Sequence, residues 1–545
     1  MGLLKALLLM CAANTSFVHA ATQPNKADIA AARKPNFVFI LTDDQRHTAV
    51  GYAQQEAVLT PTLDALSQQS LVFTNAHIMG AMSAAVCAPS RAMLMTGRNL
   101  FEISQTGEDI PAWQITLPQW FKQHGYHTFH TGKWHNGKSA FARSFTSAQS
   151  IFFGGMSDQY QVPLHGFDAS GKYDCEPTIQ GVEHSTDIYA DAALNFIEHY
   201  DSSQPFFAFV AFQAPHDPKQ VSQQYYSQYA DTDIPDIVNL LPEHPFDNGE
   251  LDVRDEWLSP TPRTQTDVKA HLKAYYAMIT HIDKRIGDII KVLERKGLMD
   301  NTYIIFTSDN GIAMGQHGLL GKQSLYDHSL RVPLLIAGPG IEQGLTIDSP
   351  LYLSNLFASI SDLAGFDIPD SVTQSKVAQI SASMPKLPHE SKSLPLNESD
   401  NTASIYAYKS YQRAIKQGSL KLIEYQVKGK KHTQLFDLAT DPLEMHNLAN
   451  QAAYQHTVGK LRARLQAELS LAGDAAKLQA VDWAIPDLPQ WGEFNLTPER
   501  RDGYFKMKAM AAEEHKMVLE YFAPTKLQDI EASVDHKDRQ DKTTR

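Results

Sequence analysis

The sequence predicts an α/β protein: a large, mixed but mostly parallel sheet sandwiched by helices, followed by a smaller C-terminal α+β subdomain. Three observations carry this. Continuous apolar runs such as Asn36-Phe-Val-Phe-Ile-Leu-Thr42 and Thr302-Tyr-Ile-Ile-Phe-Thr-Ser308 read as strands buried on both faces. They alternate with stretches of helical pattern, as βα units require. Several runs break off in charged or polar groups at their carboxyl ends, the edge where open parallel sheets bind ligands.

In chain order, residues 1–20 read as a secretory signal. Lys5 is its charge, Leu3 to Ala13 its apolar core and Val18-His19-Ala20 its cleavage site. The apolar run is too short to span a bilayer, and Met10 is too bulky to favour a lipid anchor on Cys11. A catalytic domain is assigned to 34–370. Its first strand runs into Asp43-Asp44. Thr60-Pro61 opens a helix to about Ser70, by cap and first-turn preference. Cys87-Ala-Pro-Ser-Arg91 opens the next, with Pro89 in its first turn. Leu117–Gln123 is a helix stopped by Gly125. Tyr126–Thr131 is a short strand, followed by Gly132-Lys133-Trp134-His135.

The stretch from Ser139 to Thr186 lacks periodicity and reads as a functional loop. A helix from Thr186 to His199 leads into the strand Gln204–Phe212, which ends in Ala214-Pro215-His216. Asp217 to Thr266 is a second long polar segment. Asp267–Lys296 is a long amphipathic helix. The Thr302–Ser308 strand runs into Asp309-Asn310-Gly311, Arg331–Gly338 is a further strand, and Pro350–Ala364 a further helix. Residues 371–403, rich in Ser, Pro and Lys, read as a linker. The subdomain, 404–472, holds three short strands, a turn at Gly429-Lys430 and a helix near Gln455–Leu471. Residues 473–545 form an extension with Trp483, Trp491, a charged helix near Arg501–Phe522 and a partly disordered tail.

Apolar content of 43% and charged content of 20% are those of a soluble globular chain. A formal charge of −13 disfavours nucleic acid and anionic membranes as partners. No segment is long and apolar enough to be transmembrane. After signal removal only Cys87 and Cys175 remain, which fits an exported bacterial protein, periplasmic or secreted, that does not depend on disulfides.

Cys87 alone admits two readings. A lone cysteine is commonly a small buried thiol. At a helix N-terminus with Arg91 one turn on, it also sits in a field suited to an anionic group. The strand ends weigh on the choice. Asp43, Asp44, Asp309 and Asn310 make a hard oxygen set that selects Ca²⁺ or Mg²⁺ over zinc. Singly they would be turn residues; together, three carboxylates would repel one another without a cation. Arg91, Lys133, His135, His216 and Lys322 add the basic groups that a tetrahedral oxyanion demands. The substrate is then a phosphate or sulfate ester.

These motifs resemble the formylglycine-dependent sulfatases of the alkaline phosphatase superfamily. The resemblance is carried by Cys87-Ala-Pro-Ser-Arg91 with Thr96-Gly97-Arg98, by Asn36 to Asp44, and by Gly132 to His135. Asp309-Asn310-Gly311 with Gly318 to Lys322, and Leu435-Phe-Asp-Leu through Asn447-Leu448, complete it in family order. It covers about Asn36 to Asn450.

The resemblance implies an alkaline phosphatase-like fold and conversion of Cys87 to Cα-formylglycine (3-oxoalanine) by a formylglycine-generating or anaerobic sulfatase-maturating enzyme. It implies a hydrate that attacks sulfur to give a covalent sulfo-enzyme. Asp43, Asp44, Asp309 and Asn310 would bind Ca²⁺ with residue 87. Arg91 and Lys133 would hold the formylglycine hydroxyls, and His135 would assist sulfate release. His216 and Lys322 would contact the sulfate, with His216 protonating the leaving alcohol. Gln316 replaces a Glu found in many relatives, a change expected to touch loop geometry alone.

Specificity is expected in the loops. His165, His244, Arg254, Trp257 and His317 are the candidates to grip a sugar, of a sulfated galactan, carrageenan-type glycan or glycosaminoglycan fragment. Gly154 to Asp158 adds similarity to polysaccharide-degrading bacterial members. The rival readings are a phosphodiesterase or phosphonate monoester hydrolase of the same superfamily, and an inactive carbohydrate-binding relative.

Overall fold

All seven residues of the strand Asn36–Thr42 are buried. The reason is its place: it pairs in parallel with Thr302–Ser308 on one side and Phe206–Ala211 on the other. A strand covered on both faces has no solvent side for polar residues, so its sequence is one apolar run. Phe37, Phe39 and Leu41 point into one hydrophobic core and Val38 and Ile40 into another, one core on each face of the sheet.

The computed structural model describes residues 33–173, 177, 179–373, 403–478 and 498–522. The signal segment, most of the linker, Cys175, Trp483, Trp491 and the polar tail lie outside the described residues. The eight-stranded sheet runs in the order Leu345–Ile347, Ser70–Phe73, Leu334–Ala337, Thr302–Ser308, Asn36–Thr42, Phe206–Ala211, His127–Lys133, Ser147–Phe152. Leu334–Ala337 is antiparallel to both neighbours and the other pairings are parallel, so the sheet is mixed and mostly parallel, as expected. The long helix Gln265–Arg295, capped by the Thr264 hydroxyl accepting from the Asp267 N–H at 3.1 Å, supplies the core on one face. The helix Cys87–Thr96 lies on the other, in the same core as the C-terminal sheet.

That C-terminal sheet has four antiparallel strands from Ala403–Tyr408 to Lys430–Asp437, backed by the helix Gln455–Ala472. Its fifth strand is Gly80–Ala81, just upstream of Cys87, which pairs in parallel with Ala407 and Tyr408. The C-terminal strands therefore help to seat the segment that leads into the helix of Cys87.

The loop expected from Ser139 to Thr186 departs from expectation. It starts inside the helix Lys138–Ser144 and contains the edge strand Ser147–Phe152. An edge strand keeps one side wet, so its first four residues are polar or small and only Ile151 and Phe152 are fully buried. The helix expected over Pro350–Ala364 is shorter, Leu356–Leu363, preceded by a two-residue strand and a 3-10 turn. No described helix is long and apolar enough to cross a membrane.

Candidate active site

Four neighbouring parallel strands end on one edge of the sheet, and each delivers part of one cluster. Asn36–Thr42 ends in Asp43 and Asp44, Thr302–Ser308 in Asp309 and Asn310, and His127–Lys133 in Lys133 itself; His216 follows Phe206–Ala211 by five residues. Cys87 is the first residue of its helix and is buried. Its Sγ lies 3.6 Å from Asp44 Oδ1 and 3.0 Å from Lys322 Nζ. Lys322 also donates to both Asp44 oxygens, at 2.6 and 2.8 Å.

The cations are individually committed. Arg91 donates through Nε to Asp309 Oδ2 at 2.7 Å and through Nη1 to the Lys133 carbonyl at 2.7 Å. Lys133 pairs with Asp43, and Asn310 donates to Asp44 Oδ1 at 2.7 Å. Asp44 itself sits at φ 67°, in the left-handed region, which Asp tolerates better than most residues. Its N–H donates to Asp309 Oδ1 at 3.1 Å, and its carbonyl accepts from the Tyr275 hydroxyl at 2.8 Å. These bonds fix a backbone that a free chain would avoid, a common feature of functional sites.

The residues fit a metal ion. Asp43 Oδ1 and Asn310 Oδ1 are buried oxygens without a hydrogen-bond partner. Ligand atoms of Asp43, Asp44, Cys87 and His216 all lie within 4.8 Å of one another. Burial, with Asp309 next, pushes the Asp43 carboxyl up from its ordinary value despite Lys133. An acid that resists ionising beside a lysine marks a cluster short of positive charge. Asp309 joins through its bonds to Arg91 and to the Asp44 N–H.

Burial, followed by Asp43, pushes the Cys87 thiol well up, outweighing Lys133 and Lys322. Of the two readings of Cys87, burial favours the neutral thiol: Arg91 gives its hydrogen bonds to Asp309 and the Lys133 carbonyl. Burial opposes the charge on Lys322, but Asp44 and Cys87 beside it hold the ammonium well above its ordinary range. Burial, with Lys133 and Arg91 nearby, pushes His135 well down, so its ring is neutral. Its seat is cut by Gly155, where a Cβ would lie 2.8 Å from the His135 Cε1 and Nε2 atoms.

His216 is likewise pushed well down by burial and then by Lys322 and Lys133. Its Nδ1 lies 2.8 Å from the Asp217 carbonyl, to which it can only donate, so the neutral ring leaves a lone pair on Nε2, 3.6 Å from Asp44 Oδ2. An acid role for His216 thus requires a further proton.

A cavity of about 290 Å³ opens above this cluster, lined at its base by Cys87, His135, His216 and Lys322. Arg254 and Trp257, two of the residues expected to grip a sugar, line it. Three other expected sugar contacts do not. His165 is buried in a two-way backbone pairing with Ile151. His244 bonds to the Phe246 carbonyl at 2.7 Å and the Tyr326 hydroxyl at 3.2 Å. His317 stacks on Tyr326 at 3.9 Å and lies 3.1 Å from the Glu444 carbonyl. His244 and His317 are held by long-range partners that local sequence does not reveal, and all three are tied into the surrounding structure. Gln316 serves its loop, accepting from the Met314 N–H at 2.6 Å and from Arg46 at 3.3 Å. Missed by sequence reasoning were Met156, Asp252, Tyr504 and Met507, which also line the cavity. A hint existed for one of them: Met156 belongs to the Gly154–Asp158 motif.

The Sulfatase family model matches residues 35–366, and the model for the C-terminal part of N-sulphoglucosamine sulphohydrolase matches residues 315–470. The chain is 28% identical over 483 residues to an ulvan-active sulfatase of Formosa agariphila, covering 85% of this chain and 88% of that protein. Its fold resembles a protein solved with its substrate D-glucosamine-2-N,6-O-disulfate, with TM-score 0.67 and 22% identity, covering 82% of this chain and 100% of that one. It also resembles the phosphonate monoester hydrolase of Agrobacterium radiobacter, with TM-score 0.62 and 21% identity, covering 80% and 96%.

Proposed function

The chain belongs to the sulfatase family, and from that premise we propose that this sulfuric ester hydrolase removes sulfate from a sulfated carbohydrate by way of a matured residue 87. The observation that carries the proposal is the convergence of Cys87, Asp43, Asp44, Lys133, His216 and Lys322 in one buried cluster beneath an open cavity. Asp43, Asp44, Asp309 and Asn310, with residue 87, would hold Ca²⁺, which when bound supplies positive charge opposite the sulfate oxygens.

Conversion of Cys87 to hydrated formylglycine would replace a thiol that stays protonated here with a hydroxyl nucleophile. One hydroxyl would attack sulfur and pass its proton to the neutral His216 Nε2, the bond from sulfur to the leaving oxygen would break, and sulfate would be carried on residue 87. Lys322, which reaches both position 87 and Asp44, would hold a sulfate oxygen. His216 can give the leaving alcohol a proton only after gaining one, and an anionic ester beside it would favour that gain. His135, neutral in its pocket, can take the proton of the second hydroxyl as the aldehyde reforms and sulfate leaves. Export and maturation by a formylglycine-forming enzyme belong to the same reading, the first resting on residues 1–20.

A glycan substrate is supported by what the relatives act on and by a cavity with both cationic and aromatic walls. The test is a screen of sulfate release from defined sulfated mono- and oligosaccharides. A phosphonate monoester activity, favoured by the resemblance to that hydrolase, is separated by paired sulfate and phosphonate esters. A strong phosphonate preference would replace the sulfatase reading with that one.

A further inference from the structure

Beyond both family segments, the helix Pro498–Tyr521 packs against the 3-10 helix Arg254–Leu258 and the long helix Gln265–Arg295. Its first half reaches the catalytic cavity. Tyr504 and Met507 line that cavity together with Met156, Val253 and Trp257. We propose that this extension builds the subsite that holds the sugar ring bearing the sulfate, with Tyr504, Met507 and Trp257 as its apolar wall. This rests on the sulfatase reading for the nature of the ester.

The wall is organised rather than incidental. The Tyr504 hydroxyl donates to Asp252 at 3.1 and 3.2 Å, and Trp257 Nε1 donates to the same carboxylate at 2.9 Å. The two rings meet edge to face, with centroids 4.7 Å apart and planes at 75°. Asp252 therefore fixes both aromatic planes where they border the cavity. Lys508 Nζ lies 5.6 Å from the Trp257 ring centre and 5.7 Å from that of Tyr504.

Further along, the helix is locked to the segment that follows the catalytic histidine. Glu514 accepts from the Lys219 N–H at 3.0 Å and from its Nζ at 3.2 Å, and lies 3.9 Å from the Arg254 guanidinium, which also pairs with Asp217. Asp217 adjoins His216. The buried Ala511 and Val518 complete the anchorage in the apolar core. Sugars offer an apolar C–H face and polar edges, and a cavity with an aromatic and thioether wall over a cationic base matches both.

The test needs no turnover. Calorimetry on the Cys87→Ala protein with Ca²⁺ compares inorganic sulfate with glucose 6-sulfate, N-acetylglucosamine 6-sulfate and galactose 4-sulfate. At least one sugar sulfate is expected to bind about tenfold more tightly than sulfate itself, the gain of a buried ring contact. Tyr504→Ala and Met507→Ala, added singly, should each erase most of that gain while the sulfate affinity shifts less than about threefold. Met507 is only half-buried and its loss leaves the fold standing, which guards against misreading a destabilised Tyr504 variant. If no sugar sulfate outbinds sulfate, or if either folded variant keeps the full gain, the subsite is refuted. Sulfate release by the matured wild type is scored separately, so failure of the sulfatase reading would show there and not in the ring contribution.

Discussion

Gly107→Ala should disable the site from outside it. Gly107 has φ +68°, and a Cβ there would stand 2.4 Å from the Cα and N of Pro89 and 2.6 Å from the carbonyl carbon of Ala88. All three atoms are backbone in the first turn of the Cys87 helix, so no rotamer change relieves the clash. Moving the contact from 2.4 Å to an ordinary 3.4 Å takes about 1 Å of displacement. The two segments are tied together, since Asn136 donates to the Ala88 carbonyl at 2.9 Å and to that of Gly107 at 2.6 Å. The helix start must therefore yield, and residue 87 with it.

A misplacement of this size costs roughly 10²-fold in kcat/KM. The left-handed alanine adds about 1–2 kcal/mol of instability. Gly418→Ala is the control: φ is +58° and nothing lies within 4 Å, so it carries the backbone strain alone. The assay is initial-rate sulfate release, normalised to the matured fraction from the mass of the residue-87 peptide, alongside thermal melts. Both variants should melt earlier and only Gly107→Ala should lose turnover. Matured Gly107→Ala within about threefold of wild type would refute the reasoning, since a 1 Å shift should cost more.

Chelation should abolish sulfate release and added Ca²⁺ restore it, as measured by ion chromatography. Asp309→Ala should do the same and also destabilise the fold by about 3–5 kcal/mol, because it strands the buried Arg91. Gly155→Ala should push the His135 ring aside and lower kcat by about tenfold or more, with little change in melting temperature because Gly155 is not in the left-handed region. Stability should fall with acid. Burial pushes His184, His244 and His317 down to about 4, below the ordinary 6.5. The unfolded chain takes up these protons first, so each contribution is whole above pH 6.5 and is lost as pH falls toward 4, by up to about 3 kcal/mol per histidine. Urea midpoints flat across that window would contradict this.

The strand ends were legible because a buried parallel strand writes a continuous apolar run and stops where its chemistry begins, as Asp43 and Asp309 do. The short strand Ser70–Phe73 and the edge strand Ser147–Phe152 write no such run. The histidines misled for another reason. His165, His244 and His317 are polar residues in loops by sequence, yet all three are buried, His244 against Tyr326 and His317 against Glu444, far along the chain. The return of the Pro498–Tyr521 helix to the cavity is equally non-local: a charged stretch marks a helix and does not say where it docks.

The central claim is that sulfate ester cleavage runs through residue 87. Its most direct test is sulfate release from a sulfated oligosaccharide by matured wild type and by Cys87→Ala at matched melting temperature. The account predicts release by the first and none by the second; turnover retained in Cys87→Ala would contradict it.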